Sequence, residues 1–130
     1  MPALNWLAII AAAVSAVVLG GIWYGPLFKH AWCREAGIDL HAKQGHPARV
    51  FGTAFVAALL AAFAFAWFLG PAPELHKAVH AGFMVGIAFV ATSFAINYSF
   101  AQRSLKLWLI DGGYHTLQFT LYGLILGLWH

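Results

Sequence analysis

Long stretches without an ionised side chain are the feature that most constrains the fold of this 130-residue chain. No Asp, Glu, Lys or Arg precedes Lys29, and none lies in 50–73 or 78–102. From 107 to the end, Asp111 is the only one. Each stretch reaches the roughly 20 residues that a helix needs to cross a bilayer. Only 8% of the residues are charged, against about a quarter in a soluble domain, so lipid is the predicted solvent.

An all-α, integral membrane four-helix bundle is therefore the predicted fold, in a single transmembrane domain covering 1–130. The segments are continuous apolar runs without the alternation of barrel strands, which favours helices. The first run lacks a basic start and is too long for a signal peptide, so we expect it to be retained. The predicted spans are about 4–24, 49–69, 77–100 and 106–128.

The basic residues predict the orientation in the membrane. Six of the seven flank the first or third connection, namely Lys29, Arg34, Lys43, Arg49, Arg103 and Lys106, and only Lys77 lies on the other side. The positive-inside rule then places the loop 25–48 in the cytoplasm and both termini outside. Because these cations are not gathered into one patch, nucleic acid is not an expected partner.

A short amphipathic helix is predicted within this cytoplasmic loop. Pro26 can open it and Gly37 can close it, following the preference for Pro at helix starts and Gly just past helix ends. Phe28, Ala31 and Trp32 would share its apolar face at the membrane surface. The alternative is an irregular loop with aromatic anchors. An aromatic belt at the span ends is predicted for Trp6, Trp23, Tyr24, Trp67, Trp108 and Trp129.

The fourth predicted span carries a polar stripe along one face. At 100° per residue, Asp111, His115, Gln118 and Tyr122 fall within about 60° of each other. Such groups must face the bundle interior or a hydrated cavity, because lipid does not satisfy them. The opposite face carries small residues, including the close-packing pattern Gly123-x-x-x-Gly127. A third face, expected to contact lipid, holds Ile110, Leu117, Leu121, Leu124 and Leu128.

Polar residues of the other spans extend this candidate site. By helical rise, Ser93 and Asn97 lie level with Asp111, whereas His80 and Asn5 lie toward the outer surface. The stripe can bind a proton or an ion, or it can only fix helix packing by hydrogen bonds. Ridges of small residues on all four spans make a homo-oligomer an expected partner besides the lipid bilayer, although four helices can also use these ridges internally.

No catalytic residue, metal ligand set or cofactor site is predicted. Asp111 stands alone as a carboxylate in the membrane, and no serine lies beside an arranged base. His76 and His80 are one turn apart, but zinc needs three or four ligands. Cys33 is the single cysteine, so no disulfide forms within the chain.

Three motifs carry a resemblance to a known family. They are Asn5-Trp6-Leu7-Ala8-Ile9, then Gly21-Ile22-Trp23-Tyr24 followed by Pro26, Phe28 and Trp32, and finally Ile110-Asp111-Gly112-Gly113-Tyr114-His115. With these, the chain resembles the bacterial family called domain of unknown function 1761 over essentially its whole length. The resemblance implies a small four-helix protein of the bacterial inner membrane, without an assigned activity and without catalytic residues to carry over.

Two functional hypotheses follow from the stripe. The working hypothesis is a proton- or ion-linked permeation or transport protein, with Asp111 and His115 as the binding groups. The alternative is a non-catalytic structural or assembly protein in which the same residues only fix helix packing. A membrane enzyme or metal protein has the least support.

Overall fold

The computed structural model describes residues 4–38 and 47–130, and all regular elements in these ranges are helices. The loop histidines His41 and His46 and the basic residue Lys43 lie outside the described residues. Two π-helical segments, Trp23–Leu27 and Val85–Ala91, continue the helices that precede them. The α-helices are α1 (Trp6–Ile22), α2 (Lys29–Ala36), α3 (Pro47–Leu69), α4 (Leu75–Met84), α5 (Thr92–Phe100) and α6 (Leu105–Leu128).

Three of the described helices are long and apolar enough to cross a membrane: Trp6–Leu27, Ala48–Leu69 and Leu75–Phe100. The first and third run through the two π-helical segments. The helix α6 is also long, at 24 residues, but its stripe of polar side chains and its glycines make it less apolar. It is instead the best-covered helix, and it packs against α1, α4 and the second π-helical segment.

The short helix in the predicted loop begins later than the sequence suggested. Pro26 lies inside the first π-helical segment and does not open α2, because the helix before it continues to Leu27. The distorted backbone of Gly25 (φ −99°, ψ −107°) accommodates the proline there. The end of α2 agrees with the expectation, since Gly37 adopts a left-handed conformation (φ 74°) just past Ala36.

Small side chains form the contact between α1 and α3. The buried core combines Ala8, Ala12 and Ala16 of α1 with Ala58 and Ala62 of α3. Alanine lets two helices approach closely without leaving cavities. The face of α3 opposite this contact is open, and Leu60 and Phe68 are among its exposed residues.

Glycines bring α4 and α6 into backbone contact. A Cβ atom at Gly82 would lie 2.0 Å from the carbonyl oxygen of Phe119, and one at Gly123 would lie 2.1 Å from that of Ala78. Gly127 is similarly close to the Cα of Leu75, at 2.9 Å. The Gly123-x-x-x-Gly127 motif therefore packs within one chain.

The helix α2 is docked on the N-terminus of α6. The Ser104 hydroxyl donates to the Glu35 carboxylate (2.6 Å) and accepts from the backbone N–H of Leu107 (3.1 Å). The Arg103 guanidinium donates to the Ala36 carbonyl (3.3 Å). The cap of α6 is thus also the attachment point of the loop helix.

We expect Gly82→Ala to lower stability by about 1–3 kcal/mol, the usual cost of overpacking, because its methyl group would collide with backbone. Gly52→Ala is the matched control, since a Cβ there meets nothing within 4 Å. Thermal unfolding of both variants in detergent measures the difference. Equal stability of the two variants would show that α4 and α6 do not touch at Gly82.

A second prediction concerns the docking of α2. Hydrogen bonding from Ser104, and secondarily the nearby Arg34, lowers the pKa of the Glu35 carboxyl below its ordinary value. The ionised Glu35 carboxylate therefore stabilises the docked α2 at neutral pH, and this stabilisation is lost as the pH falls through the folded-state pKa of Glu35. We expect the buried thiol of Cys33 to react faster with a maleimide in Glu35→Gln than in the wild type at neutral pH, with the two rates converging at acidic pH.

Taking the ratio of the two rates at each pH removes the intrinsic pH dependence of the thiol. Glu74→Gln changes an exposed carboxylate at the start of α4 and should leave the Cys33 rate unaltered. A Glu35→Gln protein that reacts like the wild type at neutral pH would contradict the docking role.

Candidate functional site

The carboxylate of Asp111 is the centre of the candidate site. Asp111 is 7% exposed on α6. It accepts one hydrogen bond from the Tyr24 hydroxyl (2.5 Å) and a second, on its other oxygen, from the Tyr98 hydroxyl. Tyr24 belongs to the first π-helical segment and Tyr98 to α5. The carboxylate thus joins three helical segments, and within the described part of the chain no cation forms an ion pair with it.

Aromatic donors surround this carboxylate and bond to backbone carbonyls of neighbouring helices. These carbonyls keep a free lone pair after their helical bond, so they can accept a second donor. The three bonds are Trp23 Nε1 to Ile110 (2.9 Å), Trp108 Nε1 to Ala91 (2.8 Å) and Tyr114 Oη to Ala16 (2.7 Å). Every one of them crosses between α6 and another helical segment.

The remaining residues of the stripe form a separate hydrogen-bonded chain. His115 Nδ1 lies 2.6 Å from Gln118 Oε1, and because that oxygen only accepts, Nδ1 carries the proton. Gln118 Nε2 donates to the Tyr122 hydroxyl (2.8 Å), which donates in turn to the Ala58 carbonyl of α3 (2.9 Å). Tyr122 is fully buried. The chain therefore ends by fastening α6 to α3.

Asp111 and His115 do not hydrogen-bond to each other, although one helical turn separates them. The imidazole stacks on the Phe94 ring (centroids 5.0 Å apart, 16° between planes) and touches the Tyr114 ring edge-on (4.8 Å). These ring contacts and the bond to Gln118 hold the imidazole in a set of contacts that does not include a hydrogen bond to the carboxylate. The stripe therefore consists of two clusters. The first is the Asp111 carboxylate with its tyrosine donors, and the second is the His115–Gln118–Tyr122 chain.

The polar residues predicted on the other helices do not join Asp111. The Ser93 hydroxyl is exposed and bonds to the Phe89 carbonyl of its own helix (2.6 Å). Asn97 and His80 are exposed. Asn5 caps α1 by accepting from the Ala8 N–H (3.1 Å), and its amide donates to the Trp129 carbonyl (3.3 Å), which brings the two ends of the chain together.

The tyrosines that bind Asp111 were not among the predicted site residues. The sequence predicts Tyr24 as part of the aromatic belt, and it predicts Asn97, not Tyr98, at the depth of Asp111. A usable signal existed, because a lone intramembrane carboxylate needs donors at its own depth. Tyr24 and Tyr98 lie near the C-terminal ends of their helices and Asp111 lies near the N-terminal end of α6, which places all three at the same end of the bundle.

A lateral cleft lies beside this site, between α1, α2 and α3. It encloses about 470 Å³ and is lined mainly by apolar residues, with Lys29 as its cation. Tyr24 and Tyr114 form part of its lining and connect it to the surroundings of Asp111. No group of three or more His, Cys, Asp or Glu suited to a metal ion occurs among the residues that the structure describes.

Comparison with known proteins identifies a family and no characterised relative. No curated protein and no solved structure matches the chain. The family model described as "Protein of unknown function (DUF1761)" matches residues 7–127. That range contains both clusters of the stripe and the whole cleft. Because the match covers nearly the whole chain, the chain belongs to the DUF1761 family.

Proposed function

We propose that this protein is a non-enzymatic, four-span protein of the bacterial inner membrane whose polar stripe on α6 holds the bundle together. Apolar helices long enough to cross a membrane support the location. The 24 residues of α6 extend about 36 Å at about 1.5 Å per residue, which exceeds the roughly 30 Å hydrocarbon core. Neighbouring helices cover the polar groups of α6, such as Asp111 and Gln118. The helix can therefore serve as a fourth span although its hydropathy is lower than that of the other three.

The distribution of chain ends and charges supports an orientation with both termini outside. Asn5, Gly70 and Trp129 line one small pocket, so the N-terminus, the α3–α4 turn and the C-terminus share one end of the bundle. The contact of Arg103 with Ala36 places α2 and the α5–α6 connection together. This second end carries Lys29, Arg34, Arg103 and Lys106 and is the proposed cytoplasmic side.

Lysine labelling tests this orientation. A membrane-impermeant amine reagent applied to sealed spheroplasts should modify Lys77 and spare Lys29, since both are exposed but lie on opposite sides of the proposed membrane. Peptide mass spectrometry reads out both sites, and permeabilised cells provide the control in which both react. Modification of Lys29 in sealed spheroplasts would reverse the proposed orientation.

The hydrogen bonds of the Asp111 carboxylate carry the proposed structural role. A polar group without a partner costs several kcal/mol in hydrocarbon, so helices that pair such groups are driven into one arrangement. Tyr24 and Tyr98 supply the carboxylate with donors from two other segments. The bond from Tyr122 to Ala58 fixes α3 in the same way.

A double-mutant cycle measures the Asp111 clasp, which is the pair of hydrogen bonds that the Tyr24 and Tyr98 hydroxyls donate to the Asp111 carboxylate. Tyr24→Phe and Tyr98→Phe should each lower the free energy of unfolding by about 1.5–3 kcal/mol, the range for hydrogen bonds to a charged group. The double variant should lose more than the sum, because its buried carboxylate has no donor left. Tyr98→Phe combined with Tyr122→Phe is the additive control, since these hydroxyls bind different acceptors. Unchanged stability of both single variants would refute the clasp.

Proton- or cation-linked permeation is the second candidate function. The observation that favours it is the Asp111 carboxylate itself, which is buried and bonds only to hydroxyls among the described residues. Carboxylates inside a membrane protein often mark ion or proton pathways. The His115–Gln118–Tyr122 chain would supply further exchangeable protons.

Reconstitution of the same protein in liposomes distinguishes the two candidates. For a structural stripe we expect no proton or cation flux above that of empty liposomes, and a lower unfolding temperature for Asp111→Asn. A different result would favour permeation over the structural proposal. In that result the wild type shows flux, and an equally stable Asp111→Asn variant shows none. His115→Gln, measured in parallel, shows whether the second cluster takes part.

A further inference from the structure

Two adjacent glycines of α1 widen the cleft between α1 and α3. Gly20 and Gly21 lie in its wall, and a Cβ at Gly21 would meet nothing within 4 Å. The facing wall is supplied by Val50 and Phe51 near the start of α3, which are 52% and 55% exposed. The volume of about 470 Å³ falls within the usual range for ligand pockets, about 300–1,000 Å³.

The polar end of the cleft offers a positive charge and, in the part of the chain that the structure describes, no negative one. Lys29 lies at this end, beside the Trp32 ring. The two hydroxyls of the lining are already engaged, that of Tyr24 with Asp111 and that of Tyr114 with Ala16. Among the described residues, no Asp or Glu lines the cleft. An occupant with an apolar body and an anionic end therefore matches both its walls and its charge.

We propose that this cleft binds one anionic membrane phospholipid, with an acyl chain between α1 and α3 and the phosphate at Lys29. The inference rests on the membrane location in the proposed function and does not require the hydrogen bonds of Asp111 to stabilise the bundle. The lipid is available at the right place, because the cleft opens beside the exposed apolar surface of α3. Lys29 lies at the end of the bundle where the basic residues gather, level with the headgroups of that leaflet.

A second copy of the chain fits this cleft less well than a lipid. Its insertion would require a carboxylate to meet Lys29. Of the described carboxylates, Glu35 is bonded to Ser104 and paired with Arg34, Asp111 is buried, and Glu74 lies at the opposite end of the bundle. A phospholipid brings its own anion and needs no rearrangement of the protein.

Native mass spectrometry of the delipidated full-length protein tests the charge preference. The probes are phosphatidylglycerol and phosphatidylcholine with identical acyl chains, added singly and in competition. We expect one phosphatidylglycerol to bind in preference, and Lys29→Gln to weaken that binding about fivefold, the effect of one lysine near anionic lipid. Lys106→Gln removes another exposed cation from the same end and should bind like the wild type. Equal binding of both lipids, or no effect of Lys29→Gln, would overturn the proposal.

A filled cleft tests the position of the acyl chain. Gly21→Phe should abolish the tightly bound lipid, because Gly21 lines the cleft and a Cβ there meets nothing within 4 Å, which leaves room for a ring in the cleft. Gly52→Phe is the matched control, since Gly52 is equally open but does not line the cleft. Unfolding temperatures confirm that both variants fold. Retention of the lipid in a folded Gly21→Phe protein would exclude this cleft as the site, whereas the mass of a retained second chain would identify a dimer contact.

Discussion

In the proposed structural role, the hydrogen-bonding demand of one buried carboxylate organises the packing of this protein. Asp111 lies on α6, and the hydroxyls that satisfy it come from the end of the first long helix and from α5. Two indole N–H groups and the Tyr114 hydroxyl bond across to backbone in the same region. In the proposed membrane location, lipid offers no donors, so satisfying Asp111 would also set the relative positions of these helices.

Glycine contact and polar bonding act on different faces of α6. The glycine face meets α4 at backbone distance, while the polar face reaches the first helix, α5 and α3. A helix engaged on both faces is withdrawn from lipid over much of its surface, which explains how it tolerates Asp111, His115 and Gln118. The same arrangement uses the glycine motif within one chain, where it had been expected to serve an oligomer as well.

The cleft and the clasp share Tyr24, whose ring lines the cleft while its hydroxyl binds Asp111. This places the proposed lipid site beside the main structural bond of the bundle. Loss of side-chain volume at Gly20 and Gly21 opens the wall, and the docked helix α2 supplies Lys29 and Trp32. The helix α2, which the sequence predicts at the membrane surface, thus contributes Lys29 and Trp32 to a candidate binding site.

Elements whose cause is local were predictable from the sequence. Uninterrupted apolar stretches dictate helices, because no other structure satisfies the backbone in lipid, and the left-handed Gly37 ends α2 as its lack of a Cβ allows. The polar stripe was also readable, because 100° per residue fixes which side chains share a face of α6.

Only the tertiary structure decided how the helices are rotated and which side chains meet. Ile110, expected to face lipid with the leucines, is 6% exposed, and Tyr98 meets Asp111 where Asn97 had been expected. The buried alanines of α3 are Ala58, Ala62 and Ala66, whereas Ala54 and Ala57 are exposed. A helix with so few polar groups carries no marker of its inner face. Its rotation is set by packing against α1 and by the bond from Tyr122, and neither is encoded within the segment itself.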